Sequence, residues 1–498
     1  MPPRLRLALL FAVAFFPATL PAGESVSRPG VLHLSLDDAI RMALAKNFSI
    51  EVTRFAPKIA REDATSSLGK FDPNFTARFG ASEDTRSDFF LGSKRHIART
   101  ESTQGANASV ALDGLTPWGL SYDAGLHTAF GSGTPNGFRE DFGSRFEVNL
   151  TQPLLRGAGP AANLAQVRIA RNNVLVSEWT LRQSVIDALT KTVSVYNDLH
   201  LAHENLGVAE RSRALARRTL DDNTKRAEIG VMSPLNITTA RAEAATREED
   251  VIKAQRAVKD NENFLKQLVT ADLSPMLEIQ VEIDPPPSPA FRANVSAGIA
   301  EAIENRPDYR QTVLDLEKRH ITLAIQKNQT LPRLDLTGSL KLLGFDNDAG
   351  TSLDRTTRPD QTLWTAGAIF SIPIPNRGAR GAENAARLSA AQGLVELQKL
   401  EQQIVVDVDN ASGQIITARQ RIASTAEASK LAQESLDAGE ERLRAGTGTT
   451  FEVLELQKRL VEAEYAQLLA RADYNKAVNN YYKQTGVTLR EYRVTIGK

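Results

Sequence analysis

Two stretches of this chain, from just after Pro160 to Ile229 and from about Gly378 to Ala445, contain no proline and keep a helical pattern of apolar residues throughout. At 1.5 Å per residue, each would be roughly 100 Å long. Ordinary globular domains do not hold such helices, so the chain must build a rod or a wall. Leu181, Val185, Ala188, Thr192, Val195 and Leu199 begin an alternating spacing of four and three that runs unbroken to Leu220, and Leu397 to Leu443 and Leu456 to Tyr481 repeat it. Sustained heptads mean coiled-coil packing. These seams are rich in Ala, Thr, Ser and Gly, which lets helices approach closely without a thick apolar core and suits a wall better than a solid rod.

The long helices belong to an internal duplication. The segment Arg226-Ala-Glu-Ile-Gly230-Val-Met-Ser233-Pro-Leu235 returns at a constant offset as Arg442-Leu-Arg-Ala-Gly446-Thr-Gly-Thr449-Thr-Phe451. Each glycine marks a helix turning back on itself, where a residue tolerant of positive φ is required. Upstream, Gly157-Ala-Gly-Pro-Ala161 recurs as Gly378-Ala-Arg-Gly-Ala382. Each half also opens with a shorter helical segment, Leu36 to about Leu68 and about Val295 to Gln329, with Asn47 and Asn305 near the midpoints. Between the halves, Asp284-Pro-Pro-Pro-Ser-Pro289 imposes an extended linker. The expected layout is a signal at 1–22; a first repeat at 23–284, with strands at about 72–152 and a helical hairpin at about 160–270; a linker at 285–293; a second repeat at 294–486, with strands at about 332–375 and a hairpin at about 378–485; and a tail at 487–498.

Arg4 and Arg6, the apolar run Leu7 to Phe16 and the exit Leu20-Pro-Ala22 have the layout of a secretory signal, with cleavage expected near Ala22. Nothing later approaches the roughly 18 apolar residues of a spanning helix, so any membrane crossing must use strands. Cysteine is absent, which excludes disulfides and a lipid anchor on cysteine. Lys and Arg number 60 against 60 Asp and Glu, a balance that argues against nucleic acid as a partner.

Phe75 to about Ala81, Ala106 to Leu112, Leu120 to Phe130, Phe146 to Leu150, Leu334 to Leu342 and Leu363 to Ile374 alternate, imperfectly, between apolar and polar or small residues. Such alternation between polar loops is the signal of transmembrane barrel strands. A single copy cannot close a barrel, and open edges are forbidden in lipid, so strands must pair across copies or stay out of the membrane. The first strand region is about twice as long as the second. Its additional hairpin, at about 104–140 around Leu115-Thr-Pro117-Trp118-Gly119, would lengthen the barrel, cover its mouth or form a loop. The heptads alone fit a periplasmic coiled-coil adaptor or scaffold without a pore equally well.

With the paired tips, Asn305-Arg-Pro-Asp308, Leu331-Pro-Arg-Leu-Asp335 and Phe370-Ser-Ile-Pro373 in this order, the chain resembles the outer membrane efflux protein (TolC) family over nearly its whole mature length. That resemblance implies a mainly α fold with a membrane β-barrel part and an internal duplication of helix, strand, strand and long helical hairpin. It implies a homotrimer in which four strands per protomer make a twelve-stranded β-barrel, set in outer-membrane lipid and continued by a periplasmic α-helical barrel. The chain would be a passive exit duct of a tripartite efflux pump or type I secretion system. Its tips, Arg226, Gly230, Ser233, Leu235, Arg442, Gly446, Thr449 and Phe451, would meet a periplasmic adaptor (membrane fusion protein) that joins them to an inner-membrane transporter of RND or ABC type.

Glu452 and Glu455 follow the second tip three residues apart, where channels of this kind carry entrance carboxylates. Tripled by symmetry they would form an acidic ring that favours cations; as plain helix-start acids they would only complement the helix dipole. The family's tip latch, an Arg or Tyr reaching an acid, would fall on Leu443, Gly448 and Asn236, and so is missing. No phosphate-binding loop or nucleophile elbow occurs. His200, His203 and Glu204 share a helix face, which wall positions explain more simply than a metal. Asp407 and Asp409 are two apart and do not face each other. No cofactor and no enzymatic activity are expected.

Overall fold

A computed structural model describes residues 30–495 apart from 93–94, 231, 290, 292–293 and 359. The expected signal at 1–22 lies outside the described residues.

The first repeat runs β1 (Val31–Leu34), α1 (Leu36–Lys46), α2 (Phe48–Ser66), four strands β2 (Asn74–Gly92), β3 (Arg95–Leu115), β4 (Ser121–Gly133) and β5 (Asp141–Pro153), then α3 (Gly159–Asn163), α4 (Ala165–Glu228), α5 (Pro234–Val269) and β6 (Gln280–Ile283). The second runs α6 (Val295–Asn305), α7 (Pro307–Gln329), β7 (Arg333–Asp346), α8 (Ala349–Arg355), β8 (Thr362–Ser371), α9 (Arg377–Arg444), α10 (Thr450–Gln484) and α11 (Thr488–Glu491). Between them, Asp284 to Pro289 forms neither helix nor strand.

The opening segment of each half is two helices rather than one. Asn47 sits in extended backbone and caps α2 by accepting from the Ser49 amide (2.9 Å). Arg306 does the same job of breaking the helix because Pro307 follows it, and a residue before proline avoids the helical region.

Helix α4 has 64 residues and α9 has 68, which makes each about 100 Å long. Their seams are as the heptads require. Val185, Ala188, Thr192, Val195, Leu199, Ala202, Ala209 and Ala216 are buried, and Leu181, Leu206, Arg213 and Leu220 are half-buried. The return helices are shorter than the helices they follow. With 36 and 35 residues, α5 and α10 reach only about halfway back. Helices α2 and α7 pack beside the remaining, strand-proximal halves of α4 and α9.

At the level where the two kinds of helix meet, β1 and β6 pair in parallel. Tyr196 of α4 is fully buried there and donates to the carbonyls of Leu34 (3.0 Å) and Asp284 (2.8 Å). Burial holds its hydroxyl up at about 12. Lys266, also fully buried, donates to Glu262 (3.3 Å) and to the Ile279 carbonyl (2.5 Å), fastening the approach to β6. The C-terminal segment is packed as well: Leu489 joins Ile50, Val185 and Ile186 in one apolar cluster.

The remaining strands form one antiparallel sheet in the order β2-β3-β4-β5-β7-β8. It has six strands, against the four implied by the resemblance. The additional hairpin is not an irregular loop, since β3 and β4 are internal strands of the sheet. Their connecting turn closes with Thr116 N to Leu120 O (2.8 Å) and is tied to the start of the helices by Gly159 N to Trp118 O (3.0 Å).

Candidate functional site

Two surfaces are the candidates: the faces of the sheet at one end and the helical tips at the other. Directly opposed residues in an antiparallel ladder share a face. One row across all six strands therefore reads Phe75, Leu112, Ala124, Val148, Leu340, Trp364. The neighbouring row, on the other face, reads Asn74, Asp113, Asp123, Asn149, Ser339, Thr365. The first face is mainly apolar, and Phe79 and Trp364 stand 80% and 72% exposed on it. The second is polar and bonded strand to strand: Asn74 donates to Asp113 (3.2 Å), Asn149 to Asp123 (3.2 Å), and Ser339 and Thr365 share a bond of 2.7 Å. On the same face Glu147 holds Arg145 (3.3 Å) and Lys341 (2.8 Å). Such a sheet fits lipid on one side and water on the other.

At the far end, α4 and α9 stop at Gly230 and Gly446, with φ of 78° and 75°. A Cβ at either would meet nothing within 4 Å, so backbone angle alone selects glycine there. Ser233 caps α5 by accepting from Leu235 N (3.3 Å), and Thr449 caps α10 by accepting from Glu452 N (3.2 Å). The predicted tip residues are thus one turn-and-cap device made twice. The two copies touch: Arg226 donates to the Leu443 carbonyl (3.5 Å), and Gln457 donates to Thr219 (3.1 Å). Ile229, Leu235 and Phe451 are exposed apolar residues around this end.

Glu452 and Glu455 both lie at the start of α10, but neither carboxylate stands alone. Arg442 reaches Glu452 at 2.5 Å, and Arg459 reaches Glu455 at 3.2 Å. At the positions of the missing latch, Leu443 packs with Leu436, Val453 and Leu460. A Cβ at Gly448 would press on the Leu443 amide at 3.0 Å.

Other residues singled out in the sequence take structural positions. Arg306 is largely buried and donates to Asp308 (2.8 and 3.1 Å), Asp407 (3.1 Å) and the Gln484 side chain (3.2 Å), tying α7, α9 and the end of α10 together. Asp407 thus pairs with Arg306. Desolvation is the main influence on the His200 imidazole and shifts it toward the neutral form, despite the nearby Glu204. No group of three His, Cys, Asp or Glu that could hold a metal occurs among the described residues. Unforeseen from sequence were the Arg306 clamp, the Tyr196 and Lys266 anchors and the polar ladder. Only the alternation of the strands could have signalled the last of these.

A face-segregated sheet joined to helices of about 100 Å defines a subunit of an outer-membrane channel. The outer membrane efflux protein profile matches residues 131–271 and 298–487, and the chain belongs to that family. It resides in the outer membrane with a long periplasmic part. It is 23% identical to outer membrane efflux protein BepC of Brucella suis biovar 1 over 67% of this chain and 70% of that one. It is 25% identical to outer membrane protein TolC of Escherichia coli over 58% and 59%, a match that spans less than two thirds of that relative. The CmeC outer membrane channel of Campylobacter jejuni shares the fold with a TM-score of 0.66 at 16% identity, over 91% of this chain and 86% of that one.

Proposed function

We propose that the chain forms a passive trimeric exit duct of a tripartite efflux pump or type I secretion system. The observation that carries this is the sheet, apolar on one face and polar on the other in unbroken register, placed at the opposite end of the helices from the tips. A pore-less periplasmic scaffold has no use for a whole apolar sheet face. Assembly with further copies is supported by two exposed helix stripes in the strand-proximal half: Phe48, Val52, Phe55 and Ile59 on α2, and Leu388, Val395 and Val406 on α9. The first keeps heptad spacing, the pattern of a helix awaiting a partner.

Arg226, Gly230, Ser233, Leu235, Arg442, Gly446, Thr449 and Phe451 form the surface offered to a periplasmic adaptor, which would couple the duct to an RND- or ABC-type inner-membrane transporter. Exposed Leu235 and Phe451 supply its apolar anchors. Glu452 and Glu455 line the entrance, each carboxylate moderated by an arginine of its own protomer. The test is membrane fractionation with carbonate or urea washing, followed by gels of unheated protein. Retention in the membrane as a heat-modifiable trimer is expected. Release into the soluble fraction would overturn the channel.

A further inference from the structure

The edges of the six-stranded sheet are β2 and β8. Strand β2 leaves the helices after α2, and β8 returns to them before α9. The two edges therefore run in opposite directions, and identical copies can be joined β2 to β8, head to tail, with every neighbouring pair antiparallel. A ring of copies removes both edges, which lipid requires.

The question is whether β2 and β3 belong to that ring or hang beside it. Three observations put them in the wall. First, β3 pairs with β4 continuously from Thr103↔Gly133 to Leu115↔Ser121, a ladder as long as the one joining β5 to β7. Second, the segregation of faces does not stop at β4. Phe75, Ala77, Phe79, Val110 and Leu112 continue the apolar face, while Asn74, Thr76, Arg78, Ser109 and Asp113 continue the polar one. A hairpin in water has no reason to keep that division in register with a membrane sheet. Third, the β3–β4 turn is bonded to the helix start at Gly159, level with the base of the other strands.

We infer that β2 of one copy pairs with β8 of the next, so that all six strands of each copy enter the barrel wall. This rests on the trimeric channel proposed above; three copies then give eighteen strands, where the resemblance alone implied twelve. The family profile matches only from residue 131 onward, so the added strands lie in the part of the chain that departs from it. Barrel diameter grows roughly linearly with strand number, and barrels of 16–18 strands enclose an aqueous channel. The outer-membrane segment would be about half as wide again as a twelve-stranded one, which leaves the tips as the narrow end of the duct. Above Thr103↔Gly133, β2 and β3 continue alone to Gly92↔Arg95, carrying charged residues such as Arg86 and Glu101 beyond the wall.

The natural absence of cysteine makes the test direct. Single cysteines on the polar face of β2 (Thr76→Cys, Arg78→Cys) are combined with single cysteines on the same face of β8 (Thr365→Cys, Gly367→Cys, Ile369→Cys) in the full-length membrane protein, oxidised and run without reductant. A second series pairs the β8 cysteines with Asp123→Cys or Gly125→Cys on β4. Cross-linked dimers and trimers from the β2–β8 series alone are expected. Cross-links from β4–β8 instead, or from neither series in a membrane-embedded trimer, would overturn the inference and leave the channel intact. Recovery as a soluble monomer would overturn the channel itself. Counting strands by electron cryomicroscopy of the unmodified purified trimer gives a second reading: eighteen supports the inference and twelve overturns it.

Discussion

Where the two opening helices of each repeat join, the first repeat uses Asn47 and the second uses Arg306, both in extended backbone. Asn47 is a neutral cap that accepts from Ser49 N and donates to the Leu268 carbonyl (3.4 Å). Arg306 gathers two carboxylates from two helices. The tips repeat the contrast. Gly230 and Gly446 turn the chain alike, while Asn236 in the first repeat stands where Glu452 binds Arg442 in the second. The difference teaches that duplication held the backbone fixed and let the polar chemistry diverge. A left-handed turn accepts few residues, whereas a half-buried polar group can be satisfied by a neutral cap or by an ion pair.

The comparison is tested most severely at the junctions. Arg306→Ala would leave Asp308 and Asp407 without their guanidinium, and a loss of about 2–4 kcal/mol is expected, at or below the cost of breaking a fully buried pair because both acids keep some solvent. Asn47→Ala removes only a cap, which costs about 1 kcal/mol. Denaturation of the purified protein followed by circular dichroism measures both. Equal losses would mean that the two junctions are energetically the same device.

The helical half of this contrast was legible in the sequence, and the polar half was not. Heptads and the repeated Arg-to-Gly turns predict α4, α9 and both tips, because seam burial and positive φ each restrict residue choice locally. What fills the other half of the wall was not legible, because nothing local in α5 or α10 says that α2 or α7 will pack there. Strand alternation placed all six strands, but their order and common apolar face depend on register between segments far apart, such as Val148 against Leu340. The partners of Arg306 and Glu452 depend likewise on contacts across helices, where a lone charge in the sequence looks solvated.

At the tips, strain should be the same in both repeats. Gly230→Ala and Gly446→Ala each force a side chain into the left-handed region with no steric clash, at an expected cost of about 1–2 kcal/mol. Thermal unfolding of the two variants should shift alike. A clear difference would show that the adjoining Arg442–Glu452 pair, present only in the second copy, braces its turn.

Acid should then separate the junctions. Burial alone would raise the Asp308 carboxyl, but the Arg306 guanidinium holds it below the ordinary 3.8. A depressed folded-state value stabilises the fold fully above that ordinary value, and the benefit is lost as pH falls through the lower one. Acidification from neutrality through the carboxylate range should therefore cost the natural protein more stability than it costs the Arg306→Ala variant. Parallel pH profiles would mean that the clamp is not ionic in origin.

The smallest effect on stability belongs to the tip charges, and it is the one closest to function. Arg442 and Glu452 are both solvent-accessible, so removing either should change stability by less than about 1 kcal/mol. In the proposed trimeric duct ion selectivity would be more sensitive, because each substitution would be repeated around the entrance and would leave its partner's charge uncompensated. Glu452→Gln with Glu455→Gln should lower cation preference in planar-bilayer recordings, and Arg442→Ala should raise it. Arg226→Ala, whose guanidinium meets a carbonyl of the other tip rather than a carboxylate, should move selectivity the same way as Arg442→Ala without freeing an acid, and therefore by less. Unchanged selectivity in all of these variants would remove Glu452 and Glu455 from the entrance and leave Arg442–Glu452 as a hairpin brace that the first repeat does without.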